Sequence, residues 1–361
     1  MKKELSHKIT HIQFMLSILI VFIHSSSYVI NLQGETVSIY GQNAATFIQL
    51  FFTEGVCRVA VPLFLIISGY LFFITYKNTL DGYKYKLKRR FFSLAIPYTI
   101  WSAAVFFMFF IAQRIPSLAS FFSTRDTTNF GILDILYNIF ITSFNSPLWF
   151  CRYLIVFALL SPLFYIAIKK LPFIVIPAAF AIWFFNVNII IRSETILFFS
   201  LGALFALHNE KLTNISKKIK HKNIIGIVAL ILWLGIIIFR TYYLCSLPED
   251  VLLFGKYDPI LHYSMRLSII SGLVAVWYTA PKFVEKKEWE IASYSFLIFV
   301  THHPIASALK KIIAKIIGAS DIALLITFFA SAFLTITIII LAGMIVKKIM
   351  PKTYSFVTGS R

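Results

Sequence analysis

The stretch HIQFMLSILIVFIHSSSYVI at residues 11–30 contains no Lys, Arg, Asp or Glu. A helix needs about 20 predominantly apolar residues to cross the hydrocarbon core of a bilayer, so this stretch predicts a membrane-spanning helix. It follows the charged segment MKKELSHK without an intervening small-residue cleavage site. That pattern favours a retained first helix over a secretory signal peptide that is removed.

The rest of the chain has the same apolar character. Of the 361 residues in the whole chain, 59% are hydrophobic and 14% are charged, and Phe occurs 38 times. A soluble domain has about 45–50% apolar and about 25% charged residues, so the composition predicts an all-α, multi-pass membrane protein. It excludes a disordered chain and a soluble nucleic-acid-binding protein, although the formal net charge is +19.

Ten apolar stretches qualify as spans or nearly so, and the sixth is short because Arg192 and Glu194 flank it. We expect residues 1–350 to form a single transmembrane domain and residues 351–361 a short cytoplasmic tail. The predicted spans are residues 11–30, 55–75, 92–113, 148–168, 172–191, 195–208, 224–243, 262–280, 291–309 and 320–347.

Lys and Arg are distributed unevenly among the connections. About two thirds of them fall in the two terminal segments and in alternate connections, with clusters at residues 84–90 and 217–222. Cytoplasmic loops of membrane proteins carry an excess of Lys and Arg. The asymmetry therefore predicts an even number of spans with both termini in the cytoplasm.

The three cysteines, Cys57, Cys151 and Cys245, lie far apart in the sequence and form no Cys-x-x-Cys pair. Zinc-binding and redox motifs place two cysteines close together. We therefore expect these cysteines to be small apolar side chains, and we expect neither a metal site nor a bound cofactor.

Ionisable side chains inside predicted spans are candidates for function, because placing them in lipid is costly. In the predicted topology they share one depth, the outer half of the membrane. This shared depth predicts a polar cavity that opens outward and contains a potential base beside cationic groups. The residues are His24, Arg58, Arg152, Arg266, His302 and His303, with Arg240 nearer a helix end.

Each of these residues also has a structural interpretation. Arginines near helix ends can extend their guanidinium groups to the lipid headgroups. A single intramembrane His can be a hydrogen-bonded structural residue. The sequence leaves both interpretations open.

The segment KLKRR at residues 86–90 places four cations, Lys86, Lys88, Arg89 and Arg90, at the predicted cytoplasmic end of the third span. One interpretation is an anchor that contacts anionic lipids. The other is a binding site for a polyphosphorylated soluble donor such as coenzyme A, because Arg can hold a phosphate through two hydrogen bonds.

Five segments, in this order, are similar to the characteristic blocks of the acyltransferase 3 family of bacterial membrane acyltransferases. The resemblance covers most of the chain. The segments are HIQFMLSILIVFIHSS at 11–26, AVPLFLIISGYLFF at 60–73, LWFCRYLIVFALLSPLFY at 148–165, FFSLGALFA at 198–206 and SYSFLIFVTHHP at 293–304.

The resemblance implies a reaction and a location in the bacterial cytoplasmic membrane. A short acyl group, acetyl or succinyl, passes from cytoplasmic acyl-CoA, a co-substrate, to a hydroxyl of a cell-surface or exported glycan. A hydroxyl is a weak nucleophile at neutral pH, so a positioned imidazole that removes its proton suits this chemistry.

The resemblance also suggests roles for individual residues. His24 is the expected general base and His302 a second catalytic group. Arg58 and Arg152 are expected to stabilise the oxyanion of the tetrahedral intermediate or to bind the acceptor. Gln13, Ser68 and Trp149 are expected to support the site, and the cations of residues 86–90 to bind the donor.

The chain departs from the family pattern in two places. Gln13 stands eleven positions before His24, where the family usually has Arg, so the charge of that side chain is absent. The family's Arg-x-x-Arg before the third span reads Arg90-Phe91-Phe92-Ser93, with Lys86, Lys88 and Arg89 as neighbouring cations.

Two other functions remain open from the residues alone. A flippase or exporter of a glycan or lipid-linked glycan would line its path with intramembrane Arg and His, although the internal repeats common in transporters are not evident here. A membrane sensor or scaffold without chemistry would leave the shared depth of the polar residues without an explanation.

Overall fold

The computed structural model describes residues 3–32, 35–119, 122, 125–187, 191–253, 257–279 and 290–359. Helices account for nearly all of the regular structure in these ranges, which confirms the predicted all-α membrane fold. The α-helices are α1 (Lys3–Ser25), α2 (Ala44–Leu50), α3 (Ala60–Phe73), α4 (Leu80–Arg90), α5 (Ile96–Ala112), α6 (Pro116–Ala119), α7 (Ile132–Tyr137), α8 (Trp149–Leu159), α9 (Ser161–Lys170), α10 (Pro172–Phe184), α11 (Ser193–Leu207), α12 (Asn209–Lys218), α13 (Lys222–Ser246), α14 (Glu249–Leu253), α15 (Pro259–Thr279), α16 (Ser295–Ile317), α17 (Asp321–Ile349) and α18 (Pro351–Thr358).

Shorter helical segments join several of these helices. Three π-helical segments are Phe51–Gly55, Phe91–Ala95 and Asn138–Thr142, and three 3₁₀ segments are Val56–Val59, Ser146–Leu148 and Glu290–Tyr294. After α1, an antiparallel hairpin of β1 (Val29–Leu32) and β2 (Glu35–Ser38) pairs Val29 with Ser38. This hairpin was not predicted from the sequence.

Seven helices within the described residues are long and apolar enough to cross a membrane, or nine if each of two bent pairs forms one span. The bent pairs are Ile132–Thr142 with Ser146–Leu159, at 64°, and Ser161–Lys170 with Pro172–Phe184, at 113°. The sixth predicted span corresponds to α11, an apolar helix of 15 residues. The structure thus has seven to nine candidate spans where the sequence predicted ten, and the orientation of the termini stays a prediction.

Proline explains the difference at the predicted span 148–168. Pro162 lies in the first turn of α9, and Pro172 begins α10. Proline fits the first helical turn but removes an N–H that an uninterrupted helix would need. The predicted fourth and fifth spans are therefore divided into α8, α9 and α10.

The chain divides into two compact units, each assembled from three segments. The first unit contains Met1–Ile20, Leu50–Leu87 and Phe157–Ala292, and the second contains Val21–Gln49, Lys88–Val156 and Ser293–Arg361. Residues 351–358, assigned to a tail from the sequence, form α18 within the second unit.

In the first unit, α3 and α11 pack with their backbones in close contact. A side chain at Gly202 would collide with the carbonyl of Ile66, and one at Gly69 with the carbonyl of Phe199. Small residues allow membrane helices to approach this closely and to gain van der Waals contact. The two glycines are therefore required by the helix contact itself.

We expect Gly202→Val to destabilise the first unit, because overpacking a tight contact costs about 1–3 kcal/mol or more. The measurement is the midpoint of thermal unfolding of the purified protein in detergent. Gly235→Ala is the matched control, since a side chain there meets open space. A Gly202→Val protein with an unchanged midpoint would contradict the packing argument.

In the second unit, α16 packs against α17, with Gly343 against the ring of Tyr294. Helix α18 is held on α5 by a hydrogen bond from Trp101 Nε1 to the carbonyl of Val357, at 3.0 Å. Between these helices lies a cavity of about 350 Å³, lined mainly by apolar side chains from α5, α16, α17 and α18. Such a lining suits hydrocarbon better than it suits a sugar.

Candidate functional site

His24 lies in the last turn of α1 and is half-buried. Nearby apolar contacts hold this end of the helix. The ring of Phe22 packs edge-on against Phe328 and Phe333 of α17, with centroid distances of 5.6 and 5.7 Å. Two residues beyond α1, Ser27 Oγ donates a hydrogen bond to the carbonyl of Leu324, at 2.6 Å. These contacts fix the position of the last residues of α1, from Val21 onward, relative to α17 within the second unit.

Three imidazoles meet at this point. The ring centroid of His24 lies 5.2 Å from that of His302 and 4.9 Å from that of His303. The two residues of α16 are adjacent in the sequence, so they approach His24 from neighbouring directions. The structure therefore brings together His24 and His302, the two residues predicted to be catalytic.

The protonation pattern of His302 follows from its hydrogen bonds. Its Nδ1 lies 3.0 Å from the carbonyl oxygen of Ile298 and 2.8 Å from that of Phe299. A carbonyl only accepts, so Nδ1 carries the proton and the neutral ring leaves the lone pair on Nε2. That Nε2 atom is buried and has no hydrogen-bond partner among the described residues. His302 thus offers a basic nitrogen in a fixed orientation.

Asn145 is a site neighbour that the sequence analysis missed. Pro304 lacks an N–H, so the carbonyl of Val300 loses the partner that a regular helix would give it. The Nδ2 atom of Asn145 donates to this carbonyl at 2.7 Å. Asn145 is fully buried, and its Oδ1 has no partner within the described chain. The proline directly after the two histidines was the available signal for such a contact.

Lys310 is the second missed residue. Its Nζ donates to the carbonyls of Ser26, at 3.0 Å, and His24, at 3.4 Å. The last carbonyls of a helix have no partner within the helix, and a cation is favourable there. Lys310 lies seven residues after His303, two turns along the same face of α16. Lys310 was not among the predicted site residues because the predicted span ended at residue 309.

Arg152 and Trp149 lie on α8, also in the second unit. Arg152 donates to the carbonyl of Ile141, and its guanidinium lies 5.7 Å from the ring centroid of Tyr153. Trp149 contacts the ring of Tyr153 at 5.9 Å. These contacts with Ile141 and Tyr153 lie within the second unit, and the roles predicted for Arg152 and Trp149 remain predictions.

Gln13, Arg58 and Ser68 belong to the first unit. Gln13 is half-buried, and its carbonyl accepts a hydrogen bond from Ser17 Oγ at 2.9 Å. Ser68 is half-buried on α3, next to the close contact at Gly69. The roles predicted for them remain predictions.

Arg58 is paired with Glu54, a residue that the sequence analysis missed. Both guanidinium nitrogens Nε and Nη2 of Arg58 bond to the carboxylate, with Nε at 3.2 Å from Oε2. Arg240 approaches the same residue, with Nη1 at 2.6 Å from the carbonyl and Nη2 at 3.4 Å from Oε2. The available signal was the four-residue spacing of Glu54 and Arg58, which places them on one helical face.

The cations of residues 86–90 differ in their surroundings. Lys86 is buried, and its Nζ donates to the carbonyl of Phe72 at 2.8 Å and to Thr75 Oγ1 at 2.7 Å. It therefore stabilises the C-terminal end of α3. Lys88 and Arg89 are exposed and Arg90 is half-exposed on α4. Lys88, Arg89 and Arg90 thus keep the exposure that donor binding requires.

Among the described residues, no three His, Cys, Asp or Glu side chains are grouped so that they could hold a metal ion. What the site offers is acid–base chemistry, with a half-buried imidazole beside a buried one whose tautomer is fixed by the helix backbone. Together, the fold and this site define a multi-pass membrane protein with an imidazole centre.

A family profile described as an acyltransferase domain matches residues 6–344. The chain therefore belongs to the acyltransferase 3 family, as the sequence resemblance predicted. Its class is that of the membrane acyltransferases.

One curated relative is the succinoglycan biosynthesis protein ExoH of Rhizobium meliloti (strain 1021). The two chains are 26% identical over 322 residues, which cover 87% of this chain and 82% of that protein. No solved structure matches the chain significantly.

Proposed function

We propose that the protein transfers a short acyl group, acetyl or succinyl, from cytoplasmic acyl-CoA to a hydroxyl of a cell-surface or exported glycan. We place it in the bacterial cytoplasmic membrane. The observation that carries the proposal is the contact of His24, the predicted base, with His302, whose Nε2 has no hydrogen-bond partner among the described residues. The similarity to a succinoglycan biosynthesis protein supports a glycan as the acceptor.

The arrangement supports a general-base mechanism. The imidazole of His24 removes the proton from the acceptor hydroxyl as the hydroxyl oxygen attacks the carbonyl carbon of the thioester. The C–O bond forms, the C–S bond breaks, and the thiolate of coenzyme A leaves and takes up a proton. Proton removal by a positioned His contributes about 10²–10⁴-fold to such a reaction.

The test is the acyl content of the surface glycan in a strain that lacks the gene. Base-labile acyl esters, measured by mass spectrometry before and after mild alkaline treatment, should disappear and should return with the wild-type gene. Unchanged ester content, with the glycan present at the cell surface, would contradict the proposal. Loss of the entire glycan from the surface would instead indicate export.

We also propose that the exposed cations of α4 bind the acyl-CoA donor. Replacing Lys88, Arg89 and Arg90 with Gln should raise the apparent KM for acyl-CoA by about 10–100-fold, because a hydrogen bond to a charged group contributes about 1.5–3 kcal/mol. Lys86 is left in place because it supports α3. Its own predicted role in donor binding is tested by adding Lys86→Gln to this variant.

The matched control is Lys84→Gln, which removes an exposed cation from the same helix. Reporter fusions must show an unchanged topology, since these charges also help to orient the protein. An unchanged KM in the correctly inserted triple variant would identify the cluster as an anchor only.

A further inference from the structure

Arg266 of α15 is a buried cation that the proposed reaction does not use. Its side chain is 7% exposed, and its guanidinium carbon lies 4.7 Å from the ring centroid of Trp183. Within the described residues, Nε of Arg266 and Nε1 of Trp183 are buried without a hydrogen-bond partner. Native proteins leave few buried polar atoms unpaired, and each such atom requires an explanation.

Arg266 belongs to a group of charges within the first unit. The carboxylate of Glu194 interacts electrostatically with Arg266, Arg58 and Arg192. Glu54 in turn joins Arg58 to Arg240. The group contains four guanidinium groups and two carboxylates, so cations are in excess when all six are ionised.

These residues lie toward one end of the unit's helices. Helices α13 and α15 pack against each other. Arg240 lies toward the C-terminal end of α13 and Arg266 toward the N-terminal end of α15, the two ends that residues 247–258 connect. Each lies six or seven residues from its helix end, or about 9–10 Å at 1.5 Å per residue. Trp183 and Glu194 likewise lie beside the connection from α10 to α11.

The unpaired atoms are all N–H donors, and the excess charge is positive. A ligand that completes the group must therefore supply acceptor oxygens and negative charge. The planar fork of Arg matches carboxylate and phosphate oxygens, and the indole N–H adds a donor beside it. Of the two carboxylates in the group, Glu54 is bound to Arg58 and Arg240, and Glu194 interacts electrostatically with Arg266 without bonding to its Nε.

We propose that Arg266 and Trp183 form a binding site for an oxyanion, a phosphate or carboxylate group carried by a ligand. The site is independent of the acyl-transfer reaction proposed above, because none of its residues belongs to the imidazole centre. The ligand can be a lipid with an anionic headgroup or a water-soluble anion. Both present the same oxygens to the guanidinium.

The experiment measures thermal unfolding of the purified full-length protein in nonionic detergent without phosphate. The probes are inorganic phosphate, succinate and dioctanoyl phosphatidic acid, with uncharged dioctanoylglycerol as the control for the acyl chains. We expect at least one anion to raise the unfolding midpoint in a saturable manner, since a ligand that binds the folded state stabilises it. Dioctanoylglycerol should not.

Arg266→Gln should weaken the apparent affinity of that anion by about 10–100-fold, and Trp183→Phe by about 2–10-fold, from the usual contributions of charged and neutral hydrogen bonds. Lys220→Gln, which removes an exposed cation from the same unit, should leave the affinity unchanged. If Arg266→Gln does not fold, Trp183→Phe tests the proposal instead, because Phe keeps an aromatic ring and lacks the indole N–H donor.

The probes distinguish the two sources of the oxyanion. Stabilisation by phosphatidic acid alone identifies a lipid-borne group, and stabilisation by phosphate or succinate identifies a soluble one. If no anion acts saturably, or if Arg266→Gln and Trp183→Phe bind as tightly as the wild type, the proposal is wrong.

Discussion

His24→Ala is expected to lower the turnover number by roughly 10²–10⁴-fold, the usual contribution of general acid–base catalysis. The substitution removes the half-buried imidazole that contacts both histidines of α16. Binding of acyl-CoA at the cytoplasmic side should change little, because His24 is predicted to act on the acceptor hydroxyl. Turnover and KM for acyl-CoA, measured in membranes with matched protein levels, check the expectation.

The control for His24→Ala is His221→Asn. His221 is an exposed residue in a left-handed conformation before α13, and Asn tolerates that conformation. Activity should remain at the wild-type level in this variant. A normally inserted His24→Ala protein with full activity would exclude His24 as the base.

Two further substitutions define the site around His24. His302→Ala should have a smaller effect if His302 orients the acceptor or its partner groups. Equal losses in the two single variants and in the double variant would show that the imidazoles act as a unit, since such effects are not additive.

Gln13→Arg restores the side chain usual in the family. An increase in activity would show that the family arrangement is kept but weakened, and a loss would show a site built around the neutral amide.

The long helices were predictable from sequence because lipid leaves no alternative for their backbones. In a bilayer every N–H and C=O must be paired within the protein, so an uninterrupted apolar run becomes a helix. For this reason the predicted span 224–243 lies within α13, and the predicted span 320–347 lies within α17 except for its first residue. The segment Ile132–Thr142 was missed because it is short and contains Asp134 and Asn138, so it does not resemble a span by composition.

The candidate site was predictable only in part. His24 and His302 could be grouped from the sequence because both are ionisable, lie in apolar segments and share the same predicted depth in the membrane. Asn145 was not predictable, since it belongs to no span and becomes important only through the carbonyl that Pro304 leaves unpaired. Glu54 and Lys310 each lie one residue outside a predicted span, so the boundaries chosen from hydropathy removed them from the list of membrane charges.

Glu54→Gln is expected to have the largest effect on stability. Glu54 is 9% exposed and Arg240 is 5% exposed, so the substitution leaves a buried guanidinium without its counter-ion. Breaking a buried ion pair by removing one partner costs about 3–5 kcal/mol. Arg58 contributes less to this cost, because its side chain is 36% exposed and water screens its charge. The midpoint of thermal unfolding and the yield of folded protein in detergent should both fall.

Glu210→Gln is the matched control, since it removes an exposed carboxylate from α12 of the same unit and should leave the midpoint unchanged.

The double variant Glu54→Gln with Arg240→Gln should recover part of the loss, because it also removes the buried cation that the single variant leaves unpaired. Coupling between the two substitutions then measures the pair directly, as residues in contact show non-additive effects of about 0.5–3 kcal/mol. Additive losses in the double variant would mean that Glu54 and Arg240 stabilise the first unit through separate contacts. In that case the π-helical segment Phe51–Gly55, to which Glu54 belongs, and not the ion pair, would account for the position of Glu54.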